Sequence, residues 1–233
     1  MNRALLLDLD DTLLRNSTEQ FVSNYFRALS TAVAPYMATK PFLSALRYAT
    51  GQMISNTNPT YTNEAIFWEA FELKLMVDRS TLEIVLNRFY NETYPTIAHI
   101  TAPMAGSQAL IDAAKAAGWK VVIATNPLYP LFAIQQRIKW AELDESQIDL
   151  ITSYENMTST KPHSCYFAQI AQMLGLETEN CVMAGNHLSN DVVGAAAVGM
   201  NTFWVTTYPI ADADIVPNGQ GSLHDLHAWL FGN

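Results

Sequence analysis

The run Ala4-Leu5-Leu6-Leu7 stands near the start of the chain with no polar residue on either side of its pleat. Successive side chains of a strand point to opposite faces, so such a run has to be covered on both. It reads as a strand over Ala4–Leu9, and four more short apolar runs read the same way: Lys120–Thr125, Asp149–Thr152, Cys181–Ala184 and Thr202–Val205. Helical patterns lie between the later runs. "SQALIDAAKAAG" is alanine-rich and closes on Gly118, a good C-terminal stop. "YPLFAIQQRIKWAEL" has apolar residues at helical spacing after Pro130. "KPHSCYFAQIAQMLG" puts Pro162 at a first-turn position and stops at Gly175. "NDVVGAAAVG" reads as a short helix of small residues. Near-continuous apolar strands alternating with helices predict an α/β fold, a Rossmann-like parallel sheet with helices on both faces.

One interval breaks this rhythm. About 110 residues separate the first strand from the second, whereas a crossover unit needs about 30. The surplus reads as an inserted all-helical domain. Ser17 with Gln20, and Ser80 with Glu83, have capping-box spacing. Phe21, Val22, Tyr25, Phe26 and Leu29 form one helical stripe, and Leu82, Val85, Leu86 and Phe89 another. Two more helices fit "KPFLSALRYATGQMI" and "NEAIFWEAFELKLMV". The aromatic residues here read as the core of a bundle, with those at its open end available to line a pocket. The predicted organisation is a core of residues 1–14 and 101–233 and a helical domain of residues 15–100. A chain of 233 residues, 49% of them hydrophobic, has the material for both.

Charge and cysteines exclude several classes of function. A net charge of −9 without Lys/Arg runs predicts no nucleic-acid partner and no membrane surface. No apolar stretch approaches the roughly 18 residues of a membrane span. Three acids break the first apolar run, so it does not read as a signal peptide. Cys165 and Cys181 lack metal spacing and read as reduced thiols of a cytoplasmic protein. The N-x-[ST] sequons at Asn16, Asn91 and Asn156 are attributed to chance, and His224 and His227 to the surface.

Four polar signatures follow the apolar strands, at the edge where open parallel sheets bind ligands. The first is Asp8, Asp10, Asp11 and Thr12, directly after a buried run. A turn accounts for one or two acids. Three in four positions suit a hard cation such as Mg²⁺, which cancels their repulsion. The second is Thr125-Asn126, which suits an oxyanion and equally an ordinary turn. The third is Lys161, a cation facing the positive end of a helix dipole, which a bound anion or carboxylate makes favourable. The fourth is "GNHLSND", with Asn186, His187 and Asp191. Asp191 reads as a helix cap or as a second acid toward the metal.

Together the four resemble the haloacid dehalogenase superfamily, most of whose members are phosphatases. Asp8-x-Asp10-x-Thr12 looks like its first motif, Thr125 like the hydroxyl of the second, Lys161-Pro162 like the third, and "GNHLSND" like the fourth. The helical insert sits where the family places its first type of cap domain. The resemblance implies a Mg²⁺-dependent phosphomonoester hydrolase acting on a small phosphorylated metabolite. Asp8 would be the nucleophile, forming an aspartyl-phosphate. Asp10 would be the acid and base, lending its carbonyl to the metal. Thr125, Asn126 and Lys161 would hold the phosphoryl oxygens, and Asp8, Asp10, Asn186 and Asp191 the metal. The sequence departs from the family at Asn186, where an Asp normally contacts the ion. That departure keeps two alternatives in view: a catalytically degenerate binding protein, and a metal-independent 2-haloacid dehalogenase.

Overall fold

The computed structural model describes residues 3–206 and 216–232. The chain opens with strands β1 (Ala4–Leu7) and β2 (Leu14–Arg15). Four helices follow: α1 (Thr18–Val33), α2 (Thr39–Ser55), α3 (Asn63–Leu75) and α4 (Arg79–Arg88). Irregular helical turns over Phe89–Ile100 lead into β3 (Ala102–Pro103). Then come α5 (Ser107–Ala116), β4 (Lys120–Ile123), α6 (Leu131–Trp140), β5 (Leu150–Ile151), α7 (Ser164–Leu174) and β6 (Cys181–Gly185). A wide turn over Leu188–Val193, α8 (Gly194–Ala197), β7 (Asn201–Val205), β8 (Gly219–Gly221) and α9 (Leu223–Phe231) complete the described residues.

Six strands form one parallel sheet in the order β5-β4-β1-β6-β7-β8. The apolar first run explains why β1 lies inside it. Leu5 and Leu7 pack on one face with Val121, Ile123 and Ile134, and Ala4 and Leu6 on the other with Val122, Met183 and Phe167. Each large apolar side chain buried in this way contributes about 1.5–3 kcal/mol. All five predicted strands are present, with β1 and β4 ending two residues sooner than expected. Asp8–Leu9 and Ala124–Thr125 leave the ladder and enter the loops beyond it. β8 has no apolar pattern to announce it. Its Gly219 lets the Phe203 ring lie where a Cβ would stand, 2.7 Å from the nearest ring carbon.

Between β2 and β3 the described elements are all helical, and these two strands pair as an antiparallel ribbon through which the chain leaves the sheet domain and returns. We place the boundary of the inserted domain, residues 15–100, at this ribbon. Phe21, Tyr25, Leu29 and Val33 of α1 pack with Phe42, Phe71, Leu82 and Phe89 in one core cluster, which Ala133 of α6 and Tyr129 also join. Most residues of the expected stripes are buried in that core, with Phe26 partly buried against it, but Val22 is exposed and borders a cavity. Helix starts differ from the sequence reading at three points. Asp78, not Ser80, precedes α4, and Glu83 pairs with Arg79 instead of capping. Ser17 precedes α1 without a side-chain cap bond. Pro162 lies before α7, because residues 160–163 close a turn through His163 N–H to the Thr160 carbonyl (3.0 Å).

The helical domain is tied to the loops after β4 and β5. Asn63 is fully buried, and its amide nitrogen donates to the carbonyls of Pro127 (3.3 Å) and Ser159 (3.1 Å). Its backbone N–H reaches Met157 and that of Glu64 reaches Tyr154. Buried polar groups have to be paired, so these bonds fix where the insert sits over the sheet edge.

Candidate active site

β1, β4 and β6 end level with one another: Leu7 is in register with Ile123 and with Ala184. The chain runs from β1 outward to β5 and resumes on the other side of β1 at β6, which makes this edge the switch point where open sheets bind ligands. A cavity of about 310 Å³ lies there, lined by residues from all four predicted signatures. Asp8, Asp10, Thr125, Asn126, Lys161, Asn186, His187 and Asp191 are brought together in its wall.

Asp8 is the first residue beyond β1, its N–H held by the Ala184 carbonyl (2.9 Å). Its Oδ1 accepts from Lys161 Nζ at 2.8 Å and its Oδ2 from the Thr12 hydroxyl at 3.1 Å. The loop turns tightly because the Leu9 carbonyl accepts from the N–H groups of Leu13 and Leu14, both at 2.9 Å. Asp11 takes the left-handed conformation at the turn (φ 56°) and receives the Asn16 N–H on its carboxylate. Asp is among the residues that tolerate this region, so Asp11 shapes the loop and stays out of the cavity wall.

Lys161 is 3% exposed and bridges two carboxylates, Asp8 and, at 2.6 Å, Asp191 Oδ1. Burial alone would discharge the ammonium; Asp191 first and Asp8 second outweigh it and hold the lysine pKa above its ordinary value. Burial raises the Asp8 carboxyl above the usual carboxylate range, against the pull of Lys161. Asn126 Oδ1 accepts the Lys161 backbone N–H (3.3 Å), fixing the start of that loop. Thr125 is buried, and its carbonyl takes hydrogen bonds from Tyr166 and Thr152, each at 2.8 Å.

The sequence reading adds Asp191 to the metal ligands, and the geometry engages it elsewhere. One of its oxygens binds Lys161 and the other accepts the His187 N–H at 2.9 Å, with the residue 1% exposed. Gly185 permits this approach, since a Cβ there would stand 2.3 Å from Asp191 Oδ2. Asp191 holds the lysine and the loop, and we omit it from the ligand set proposed below. Among the described residues no three His, Cys, Asp or Glu side chains converge as a metal cluster. Asn186 Oδ1 and Asp8 Oδ2 lie 3.4 and 3.1 Å from the same Thr12 hydroxyl. That hydroxyl has one proton and also accepts the Asn186 N–H. Two oxygens served by one proton suit a hard cation.

Asp10 faces a different set of partners. Its Oδ1 accepts from Asn16 Nδ2 (3.0 Å), and its Oδ2 forms an ion pair with Arg137 Nη1. Arg137 comes from α6, is 1% exposed, and lies over the Tyr129 ring at 4.7 Å and the Phe21 ring at 5.9 Å. Burial works against its charge, and Asp10 is the main influence that offsets it. Neither Arg137 nor Asn16 is among the residues expected from sequence. A signal was present, because Arg137 is one turn after Ala133 and beside Ile134 and Ile138, on the apolar face of its helix. A charge at a core position of an amphipathic helix calls for a buried counter-charge.

Residues 2–199 match the model of haloacid dehalogenase-like hydrolases. The chain belongs to that family. Among solved structures it is similar to a HAD phosphatase from Thermococcus onnurineus (21% identity, 99% of each chain covered, TM-score 0.63). It is similar also to a 2-haloacid dehalogenase from Pseudomonas syringae pv. Tomato DC3000 (17%, 97% of this chain and 96% of that one, TM-score 0.64). A third is the magnesium-bound HAD-hydrolase YfnB from Bacillus subtilis (20%, 98% of each, TM-score 0.58). At these identities the likeness concerns the fold. No curated protein matched the chain by sequence. Family members of both kinds, phosphatase and dehalogenase, thus share this architecture.

Proposed function

We propose that the chain hydrolyses phosphomonoesters of small metabolites. Asp8 attacks phosphorus, the ester oxygen leaves with a proton, and water then hydrolyses the aspartyl-phosphate. Lys161 offsets the repulsion between the Asp8 carboxylate and the phosphoryl group, and Thr125 and Asn126 line the space beside it. Asp10 exchanges the proton with the leaving oxygen and with water. The observation that carries this reading is Asp10 in the wall of the same cavity as Asp8. An alkoxide leaving group needs an acid there, and a halide does not.

Magnesium fits the oxygens present. Asp8, Asn186 and the Asp10 backbone carbonyl would hold it, and it would offset phosphoryl charge. With Asn186 in the set, only one ligand carries a formal charge, which weakens binding. The same residue favours the second reading, a metal-independent 2-haloacid dehalogenase. Hydrolysis of an aryl phosphate with and without Mg²⁺, beside halide release from a 2-haloacid, separates the two. Release of phosphate that disappears in Asp8→Asn supports the first. Halide release without phosphate release replaces it by the second, and neither product leaves a binding protein.

A further inference from the structure

Arg137 has a peculiar place in this site. It is a buried guanidinium with one oxygen partner, Asp10, while its Nε and Nη2 have none among the described residues. Arginine has five N–H donors, and here the side-chain hydrogen bond goes to Asp10 in the site. Its plane is held by the rings of Tyr129 and Phe21; it borders the cavity, and among the described residues its hydrogen-bonding partner there is Asp10. From the other side, Asn16, 2% exposed, donates to the second Asp10 oxygen. Both oxygens of Asp10 are therefore gripped by buried groups, one from α6 and one from the stem of the helical insert. The side chain of Asp10 is itself 26% exposed, so burial alone does not fix it.

We propose that Arg137 and Asn16 are positioning residues that fix the Asp10 carboxyl for proton exchange with the leaving group. The proposal rests on the phosphatase reading above. A loss of position costs most where the proton matters most. An alkyl ester, with a strongly basic leaving oxygen, depends on the acid; a nitrophenyl ester, with a weakly basic one, does not. General acid catalysis supplies about 10²–10⁴ in rate, which sets the range open to the effect.

The test compares kcat for one alkyl phosphate and p-nitrophenyl phosphate in the wild type, Asp10→Asn, Arg137→Lys, Arg137→Met and Asn16→Ala. Asp10→Asn calibrates the pattern. The expected result is that Arg137→Met lowers the alkyl-to-nitrophenyl ratio of kcat about tenfold or more, in the same direction as Asp10→Asn, with KM for either ester changing less. Arg137→Lys restores part of the ratio, and Asn16→Ala shows a smaller drop. Melting curves show which variants are folded; should Arg137→Met not fold, Arg137→Lys and Asn16→Ala carry the comparison. Equal losses on both esters mean a merely structural arginine and overturn the proposal. Wild type that hydrolyses neither ester overturns the phosphatase reading, and the proposal with it.

Discussion

Asp8 and Asp10 stand two residues apart on one loop, and the fold holds them by different means. Asp8 is clamped by Lys161, Thr12 and, through the lysine, Asp191, all from loops at the sheet edge. Asp10 is gripped by Arg137 from the interior of α6 and by Asn16 where the chain leaves for the helical domain. The first cluster is nearly closed to solvent, with side chains 12%, 2% and 1% exposed for Asp8, Lys161 and Asp191. The second is open on the carboxylate side, at 26% for Asp10. The contrast suits the proposed roles: a nucleophile has one direction to face and profits from rigidity, while an acid and base has to meet both a leaving oxygen and water.

The comparison is broken most sharply at Asp8. Asp8→Asn removes the proposed nucleophile with little change in side-chain size. Turnover of an aryl phosphate should fall by roughly 10⁴ or more, as when a covalent nucleophile is lost elsewhere. Stopped assays with radiolabelled phosphate would read such low rates, and residual activity within tenfold of wild type would remove Asp8 from the chemistry.

Next comes a contrast in stability. Lys161→Met leaves Asp8 and Asp191 facing each other in a largely buried site. Stranding buried charges costs about 3–5 kcal/mol, so the urea midpoint should drop steeply. Arg137→Met strands only Asp10, which water reaches, and it removes two unpaired donor nitrogens as well. About 1–3 kcal/mol is expected there. Equal destabilisation by the two substitutions would mean that the two clusters are buried alike.

A smaller effect probes the missing charge. Asn186→Asp adds a carboxylate beside Asp8 Oδ2, near the Thr12 hydroxyl that both oxygens share. Calorimetric titration with Mg²⁺ should show roughly 10-fold tighter binding, by the charge dependence of oxygen-ligand sites. Unchanged affinity would place the ion, where one binds, away from Asn186.

How far sequence reaches into this site follows from the same contrast. Asp8, Thr125, Lys161 and Asn186 were legible because a parallel sheet dictates which ends of the strands form the ligand edge. Any polar signature following an apolar run is then a candidate, without knowledge of packing. The helical insert was legible for a similar reason, from the length between β1 and β4. Arg137 arrives by packing: α6 lies against β2 and the turns after α4, and only that contact brings it to Asp10. Asn16 depends on the turn at Asp11 in the same way. For Asp191 the sequence leaves a metal and Lys161 both open, because a spacing of five residues does not say that Gly185 leaves room for its carboxylate to reach the lysine. β8 escaped because backbone pairing needs no side-chain pattern.

The mildest test concerns His187, which lies in the fourth signature and lines the cavity. What holds Asp191 there is the His187 backbone N–H, not the ring. The imidazole is exposed and accepts only local bonds, from Ser189 and Asn190. His187→Ala should therefore cost no more than about 1 kcal/mol, the loss of its ring as a long cap on the Asn190 N–H, because the contact that organises the Lys161 cluster survives the truncation. His187→Pro removes that N–H and frees one oxygen of Asp191 inside a buried site. A much larger loss is expected for it, measured in the same urea series. If alanine and proline behaved alike, the rigidity ascribed to the Asp8 side would have to come from the lysine alone.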